Sequence, residues 1–312
     1  MSAANPDDDT SPLVWLPFEA DLLGNVPSGL RCEVVDPTVA VPPTVGEVAF
    51  YVPPYQVGPR VAEVLDRMGS LQVVQTLTAG VDNLRDRVPA GVTLCNGRGI
   101  HDTSTAELAL ALILSSLRGV PGFVRAQDRR EWRPEVRPAL ADRRVLIVGH
   151  GAVGAAIEAR LLPFEVEVVR VARSARPGVH PVSALPDLLP DADVVVVIVP
   201  LTAETRGLVD ADFLSRMKDG ALLVNVARGQ VVVTDDLVAA LRSGRIAAAV
   251  DVVDPEPLPP DSPLWDAPNL LVSPHVGGAS SAMWPRAYRL VREQLHRFDA
   301  GEPLVNVMSG AY

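Results

Sequence analysis

The sequence predicts an α/β protein built from two doubly wound parallel-sheet domains, in which helices cover both faces of each sheet. Its 312 residues are more than a single hydrophobic core usually serves. Its apolar runs are short, rich in Val and Ala, and separated by enough residues for crossover helices. One of these runs leads directly into a glycine-rich turn, Gly149–Gly154.

The first third of the chain has five predicted strands. They are Leu13–Phe18, Arg31–Val35, Glu47–Val52, Leu71–Leu77 and Val92–Cys95. A helix over Arg60–Met68 separates two of them, and a long helix from about Thr105 to Arg118 follows the last. Alternating strands and helices are typical of a parallel sheet with crossovers.

The middle of the chain has six further predicted strands, the number in a complete dinucleotide-binding (Rossmann) sheet. They are Arg144–Val148, Val166–Ala172, Val194–Val199, Ala221–Val226, Ile246–Val253 and Leu270–Val272. A last helix, about Ala287–Phe298, falls outside this sheet and is expected to return to the first domain. The predicted dinucleotide-binding domain, 98–283, is therefore inserted in a flavodoxin-like substrate domain of residues 1–97 and 284–312.

The turn at Gly149–Gly154 matches the GxGxxG fingerprint in its expected context, between a strand and a helix. Gly149 permits the tight turn, Gly151 lets the backbone approach a pyrophosphate, and Gly154 allows close packing of helix and strand. Ala152 and Val153 follow Gly151, where the helix begins. Its N–H groups and positive dipole end favour phosphate binding.

The end of the next strand bears on which nicotinamide cofactor would bind. An NAD site usually has Asp or Glu here, for the ribose hydroxyls. This strand is instead followed by Arg173, Ser174 and Arg176, which can bind a 2′-phosphate through charge-assisted hydrogen bonds. The sequence therefore favours NADP(H) over NAD(H), the alternative being that these are ordinary surface arginines.

Three polar residues follow three successive predicted strands. They are Arg228, two residues after Val226, Glu256, three residues after Val253, and His275, three residues after Val272. The carboxyl ends of parallel strands line one edge of a sheet, so we expect the three side chains to converge where the nicotinamide binds. His275 could then protonate a carbonyl oxygen during its reduction, and Glu256 could fix the imidazole tautomer and raise its pKa. Arg228 could bind a substrate carboxylate and polarise the carbonyl.

With these motifs the chain resembles the D-isomer-specific 2-hydroxyacid dehydrogenase family over nearly its whole length. The matching segments are Thr78–Asp82, Asn96 with Ser104–Glu107, the glycine turn, Pro200–Thr202 with Thr205, Asn225–Gly229, Asp251–Pro257 and Ser273–Gly278. The resemblance places the catalytic Arg, Glu and His on Arg228, Glu256 and His275, which would act on a small 2-oxo or 2-hydroxy acid.

The same resemblance implies further site residues. Backbone N–H groups around Ala79, Gly80 and Val81 would bind the substrate carboxylate, together with Arg228 and His275. Asp251 would contact the nicotinamide amide. The remaining expected cofactor-binding residues are Thr105, Pro200, Thr205, Val226 and Ala227. The family also implies a homodimer built through the dinucleotide-binding domain around the long helix.

Within the family, the Arg173–Arg176 strand end looks like that of NADPH-dependent glyoxylate/hydroxypyruvate reductases. Ala152 departs from the basic residue of many members, and Ala79 stands where phosphite dehydrogenases have a lysine, which argues against that activity. The chain ends at Tyr312 without the regulatory domain of long 3-phosphoglycerate dehydrogenases, which disfavours that substrate, although short members exist.

Composition excludes other classes of partner. A net charge of −10 argues against nucleic acid and anionic membranes, which both require a basic surface. Two cysteines are too few for a disulfide framework or a thiolate metal site, and we expect no metal. The polar, acidic N-terminus is unlike a signal peptide, and no membrane-spanning apolar run occurs, so we expect a cytoplasmic protein.

The sequence thus predicts an enzyme that reduces a small 2-oxo acid of the glyoxylate/hydroxypyruvate type to a D-2-hydroxy acid with NADPH. Two alternatives remain open: a corepressor-like protein that senses nicotinamide cofactors, and an NAD-dependent dehydrogenase that works in the oxidative direction. Substrate selectivity is expected to depend on Tyr51–Tyr55, Leu77 and Trp284, with interdomain packing the alternative for these residues.

Overall fold

The computed structural model describes residues 11–55 and 58–309 of the chain. The chain divides into two compact units. One holds the described residues up to His101 and those from Ser281 onward, and the other is Asp102–Ser280. The range predicted from the sequence for the second unit is 98–283.

The described residues of the first unit form a five-stranded parallel sheet. Its strands are β1 Leu13–Leu16, β2 Arg31–Val34, β3 Val48–Tyr51, β4 Val73–Gln75 and β5 Thr93–Cys95. Their order across the sheet is β2-β1-β3-β4-β5, the flavodoxin-like arrangement. Every residue of β1 and β3 is buried, as expected for central strands covered on both faces.

The described residues of this unit form two α-helices, α1 Pro59–Glu63 and α8 Met283–Asp299. The buried apolar residues of α8 recur every four positions, at Met283, Ala287, Val291 and Leu295. This spacing makes one apolar stripe, which packs among Val14, Phe50 and other core residues of the sheet. The C-terminal helix thereby completes a domain that the chain began before residue 102.

The second unit is a seven-stranded parallel sheet. Its strands are β6 Arg144–Val148, β7 Glu167–Ala172, β8 His180–Pro181, β9 Val194–Val197, β10 Leu222–Asn225, β11 Ala247–Val250 and β12 Leu270–Val272. Their order is β12-β11-β10-β9-β6-β7-β8. The helices of this unit are α2 Asp102–Arg118, α3 Val120–Asp128, α4 Ala152–Leu161, α5 Leu185–Leu188, α6 Ala211–Arg216 and α7 Thr234–Arg242.

The prediction of six strands in this unit was one strand short. The additional strand, β8, has two residues, one of them a proline, so no apolar run reveals it. It pairs with the end of β7 through Val171 and Ala172. Strand β6 therefore has β9 on one side and β7 on the other, which creates the topological switch point where open α/β sheets bind ligands.

Helix α2 is part of the core of the second unit. Its Ala106, Ala109 and Ile113 are fully buried against strands that include β6 and β9. Within the described residues, no single helix is long and apolar enough to cross a membrane. Helices α2 and α3 reach the length and apolar composition of a membrane span only when taken together, and they are bent by 67° relative to each other.

Candidate active site

The three predicted catalytic residues follow three neighbouring strands of the second sheet. Strands β10, β11 and β12 are adjacent and parallel, so their carboxyl ends lie side by side. Arg228 lies in the loop after β10, Glu256 in the loop after β11, and His275 in the loop after β12. The structure thus places all three residues at the same edge of the sheet.

His275 and Glu256 are in direct contact. Nδ1 of His275 lies 2.6 Å from Oε2 of Glu256, and the other carboxylate oxygen accepts a hydrogen bond of 3.0 Å from the Val253 N–H. An ionised carboxylate only accepts hydrogen bonds, so Nδ1 must carry the proton. The opposite ring nitrogen, Nε2, is then the one available for proton exchange with a ligand. Both side chains remain partly exposed, 47 % for His275 and 34 % for Glu256.

This contact shifts both pKa values in opposite directions. The hydrogen bond that Glu256 accepts from His275, together with the negative charge of the carboxylate, raises the pKa of His275 above 6.5, against partial burial and the positive charge of Arg228. Burial acts to raise the pKa of Glu256, but the hydrogen bonds from His275 and Val253 and the nearby positive charges outweigh it and lower that pKa. The contact therefore favours the imidazolium–carboxylate form of the pair.

Arg228 is positioned by a turn that the buried Asn225 organises. The Asn225 side chain accepts a hydrogen bond from the Ala227 N–H and donates one to the Arg228 carbonyl, each 3.1 Å long. Gly229 then brings this turn against the loop that carries Glu256. A Cβ at Gly229 would lie 1.8 Å from the Val253 carbonyl oxygen, so only glycine fits.

Asp251 organises the loop that carries His275. This carboxylate, 3 % exposed, accepts hydrogen bonds from the Ser273 hydroxyl at 2.6 Å and from the Val276 and Gly277 N–H groups at 2.9 and 2.8 Å. The His275 N–H also donates to the Asp251 carbonyl at 2.7 Å. His275 has a φ of +54°, an unusual conformation that these bonds support. The structure thus gives Asp251 a loop-positioning role besides the expected nicotinamide contact.

The glycine turn has the geometry that a pyrophosphate requires. Gly149 has a φ of +110°, and a Cβ there would lie 2.2 Å from the Ile198 carbonyl oxygen. A Cβ at Gly154 would lie 2.2 Å from the Gly149 carbonyl oxygen. Among the described residues, a Cβ at Gly151 would meet no other heavy atom within 4 Å. The turn is therefore closely packed at Gly149 and Gly154 and open at Gly151, directly before α4. This arrangement fits a bound dinucleotide.

The predicted cofactor-selecting residues lie together after β7. Arg173, Ser174 and Arg176 are all exposed, and Arg176 donates a 2.5 Å hydrogen bond to the His150 carbonyl. Two guanidinium groups and a hydroxyl beside the glycine turn have the donors that a phosphate needs.

The other expected cofactor residues line the same unit. The Thr205 hydroxyl donates to the Pro200 carbonyl at 2.6 Å and accepts from the Thr202 N–H at 2.8 Å, which fixes the loop after β9. Val226 and Ala227 are buried at the end of β10. Thr105, near the start of α2, lies beside Gly277. A Cβ added at Gly277 would be 3.6 Å from the Thr105 side chain.

The expected carboxylate-binding segment belongs to the first unit. The carbonyls of Thr78, Ala79 and Gly80 each accept a hydrogen bond, from the Gly97 N–H at 2.7 Å, the Asn96 side chain at 2.9 Å and the Thr78 hydroxyl at 2.8 Å. Because N–H and C=O point in opposite directions across a trans peptide, these bonds also fix the directions of the next three N–H groups, those of residues 79 to 81.

The residues expected to select the substrate are not equally accessible. Tyr51, Val52 and Leu77 are core residues of the first unit, at most 1 % exposed. Trp284 is 40 % exposed and stacks on Tyr288, with 5.7 Å between ring centroids. Within this unit, Trp284 and the partly exposed Pro54 and Tyr55 are the surface members of the predicted set.

Sequence reasoning missed two kinds of site residue. Asn225 and Gly229 belong to the recognised motif, but only the fold shows that they position Arg228. His150 and Glu158 form a 2.6 Å hydrogen bond behind the glycine turn that no local pattern reveals. The identity of His150, a titratable residue inside a glycine fingerprint, was the available signal.

Comparison with known proteins agrees with this geometry. The sequence profile described as "D-isomer specific 2-hydroxyacid dehydrogenase, NAD binding domain" matches residues 110–277. The glyoxylate reductase/hydroxypyruvate reductase of Mus musculus is 37 % identical over 233 residues, which cover 70 % of this chain and 71 % of that protein.

Solved structures show the same fold. A D-isomer specific 2-hydroxyacid dehydrogenase family protein from Aeromonas salmonicida has a TM-score of 0.85 and 31 % identity, covering 96 % of this chain and 99 % of its own. An NADPH-dependent glyoxylate/hydroxypyruvate reductase from Sinorhizobium meliloti, in complex with NADP and sulfate, has a TM-score of 0.80 and 28 % identity, with 96 % and 98 % covered. This chain therefore belongs to the D-isomer specific 2-hydroxyacid dehydrogenase family of NAD(P)-dependent enzymes.

Proposed function

We propose that the protein reduces a small 2-oxo acid of the glyoxylate/hydroxypyruvate type to a D-2-hydroxy acid, with NADPH as the preferred cofactor. The observation that carries the proposal is the 2.6 Å contact between His275 and Glu256 at the sheet edge that follows β10 to β12. A structural histidine does not require this arrangement, whereas a proton donor with a raised pKa does.

The three side chains divide the chemistry between them. Bound NADPH would supply the hydride. Negative charge then develops on the substrate carbonyl oxygen, and His275 donates the proton that neutralises it from Nε2. Glu256 holds the ring through Nδ1, which fixes the tautomer and stabilises the imidazolium before transfer. Arg228 supplies a fixed positive charge that binds the substrate and polarises its carbonyl.

The preference for NADPH rests on the strand end after β7. Arg173 and Arg176 are exposed and no carboxylate follows this strand directly, so a 2′-phosphate would meet positive charge there. The Sinorhizobium reductase, in complex with NADP, supports this assignment. Gly149, Gly151 and Gly154, with the start of α4, would hold the pyrophosphate.

The substrate class rests on a named relative and on the backbone of residues 79–81. The Mus musculus relative is named for glyoxylate and hydroxypyruvate. We assign carboxylate binding to the N–H groups of Ala79, Gly80 and Val81, whose orientations the bonded carbonyls fix. Arg228 would share this role as a positively charged partner of the substrate.

We also propose that the enzyme is a homodimer formed through the dinucleotide-binding unit. Helix α3 exposes Phe123 and Val124, at 40 % and 53 %, and the extended segment after it exposes Trp132 at 96 %. Exposed apolar residues grouped in one region are typical of a protein–protein interface.

The test is the rate of NADPH and NADH oxidation with glyoxylate, hydroxypyruvate, pyruvate and a bulkier aromatic 2-oxo acid. The proposal predicts turnover with NADPH that is fastest on the smallest acids. A preference for NADH would refute the cofactor assignment alone. Tight cofactor binding without turnover on any acid would support the sensor alternative instead.

A further inference from the structure

His150, the second residue of the glycine turn, is hydrogen-bonded at both ring nitrogens and at its carbonyl. Nε2 lies 2.6 Å from Oε2 of Glu158, and Nδ1 lies 3.3 Å from Nη2 of Arg176. The same Nη2 donates to the His150 carbonyl at 2.5 Å. Since a guanidinium only donates, Nδ1 must accept from Arg176, and Nε2 must carry the proton that Glu158 accepts. The contacts thus select one neutral tautomer.

Glu158 is itself held in place. It lies on α4 with 13 % of its side chain exposed, and Oε1 accepts a 2.8 Å hydrogen bond from Nε of Arg170 on β7. A second bond runs from Nη2 of Arg170 to the same oxygen. The hydrogen bond from Arg170 lowers the pKa of Glu158, against partial burial, so this residue stays ionised as an acceptor for His150.

The far end of this chain of contacts is Arg176, in the exposed turn that also carries Arg173 and Ser174. A free surface arginine loses rotamer entropy when it binds a phosphate. A guanidinium has five N–H donors, so His150 can hold Nη2 while other donors face a ligand. The geometry points to His150 as a positioning residue that holds Arg176 ready for the 2′-phosphate of NADP(H), and so determines cofactor specificity. This inference rests on the proposed preference for NADP(H).

The test is a set of binding measurements by titration calorimetry, with NADP⁺ and NAD⁺, on the His150→Leu variant. We expect the Kd for NADP⁺ to rise about tenfold, the effect of one charge-assisted hydrogen bond. The Kd for NAD⁺ should change less than about twofold, since NAD⁺ has no phosphate for Arg176 to bind.

Double variants show whether the effect passes through Arg176. In an Arg176→Ala background the loss from His150→Leu should vanish, because its partner is gone. In an Arg173→Ala background, the matched control, the loss should persist, because no contact joins Arg173 to His150 among the described residues. His150→Asn should retain much of the wild-type affinity for NADP⁺, since its side-chain oxygen can replace Nδ1 as the acceptor.

Four outcomes would overturn the inference. Equal losses of NADP⁺ and NAD⁺ would show that His150 only shapes the glycine turn, as would a loss that persists without Arg176. If Arg176→Ala selectively weakens NADP⁺ binding and neither His150 variant does, the positioning role alone fails. If neither Arg173→Ala nor Arg176→Ala affects NADP⁺ binding, both the proposed cofactor preference and the positioning role of His150 fail.

Discussion

Glu256 is the neighbour with the largest effect on the His275 imidazole. The hydrogen bond that His275 donates to Glu256 and the charge of that carboxylate raise the His275 pKa, while the same contact lowers the pKa of Glu256. A proton donor must be protonated before transfer, so reduction proceeds at pH values below the His275 pKa and slows above it. The raised pKa extends the working range towards higher pH.

Glu256→Gln should therefore narrow the pH range of reduction. The neutral amide removes the charge that raises the His275 pKa, so the alkaline limb of kcat against pH should move to lower pH. The measurement is a pH–rate profile with saturating NADPH, with the exposed Glu63→Gln as a control that keeps the wild-type limb. An alkaline limb that stays in place in Glu256→Gln would contradict the role assigned to the pair.

Asp251→Asn tests the loop that holds His275. The amide retains one acceptor oxygen where the carboxylate has two, so the N–H group of Val276 or that of Gly277 loses its partner. The free energy of unfolding should fall by about 1–3 kcal/mol, and kcat should fall with it. Urea denaturation measures the first effect, with the exposed Asp261→Asn in a nearby loop as control. Unchanged stability would show that these bonds contribute nothing.

At the scale of the elements, the site is a set of loops that meet because their strands are neighbours. The chain order β10, β11, β12 is also the order at that side of the sheet, so each loop lies beside the next. Two glycines show how a missing side chain serves the site in different ways. Gly229 allows contact between two protein loops, whereas Gly151 leaves space that the described protein does not fill.

Gly229→Ala and Gly151→Ala should consequently have separable effects. At Gly229 the added Cβ would overlap the Val253 carbonyl, so unfolding free energy should fall by about 2–4 kcal/mol. At Gly151 the methyl group meets open space, so stability should be kept while the KM for NADPH rises. Thermal denaturation and steady-state kinetics on both variants distinguish the two. Equal stability losses would contradict the assignment of Gly151 to cofactor binding.

At the scale of the whole molecule, the sequence was sufficient for the fold class and insufficient for details that depend on tertiary contact. Buried runs such as Val194–Val197 predicted parallel strands, and the glycine turn indicated which sheet binds the dinucleotide. Strand β8 escaped notice because its two residues carry no apolar pattern. The hydrogen bonds that join Asp251 to Gly277 and His150 to Arg176 connect segments 26 residues apart in the chain, so only the folded chain reveals them.

The proposed dimer gives a prediction at this scale. Replacing Phe123 and Trp132 together by serine removes large apolar side chains from the proposed interface, so the variant should become monomeric. Sedimentation velocity measures this, with Trp265→Ser as control because Trp265 is also exposed, at 55 %, but lies in another loop. A wild-type protein that is monomeric, or a double variant that stays dimeric, would contradict the interface.

The central claim, that His275 donates the proton during 2-oxo acid reduction, is tested most directly by His275→Ala. The measurement is kcat with NADPH and glyoxylate, made beside the Kd for NADP⁺. The account predicts that kcat falls by about 10²–10⁴, the usual contribution of general acid catalysis, while NADP⁺ affinity is retained. A variant that turns over at the wild-type rate would contradict it.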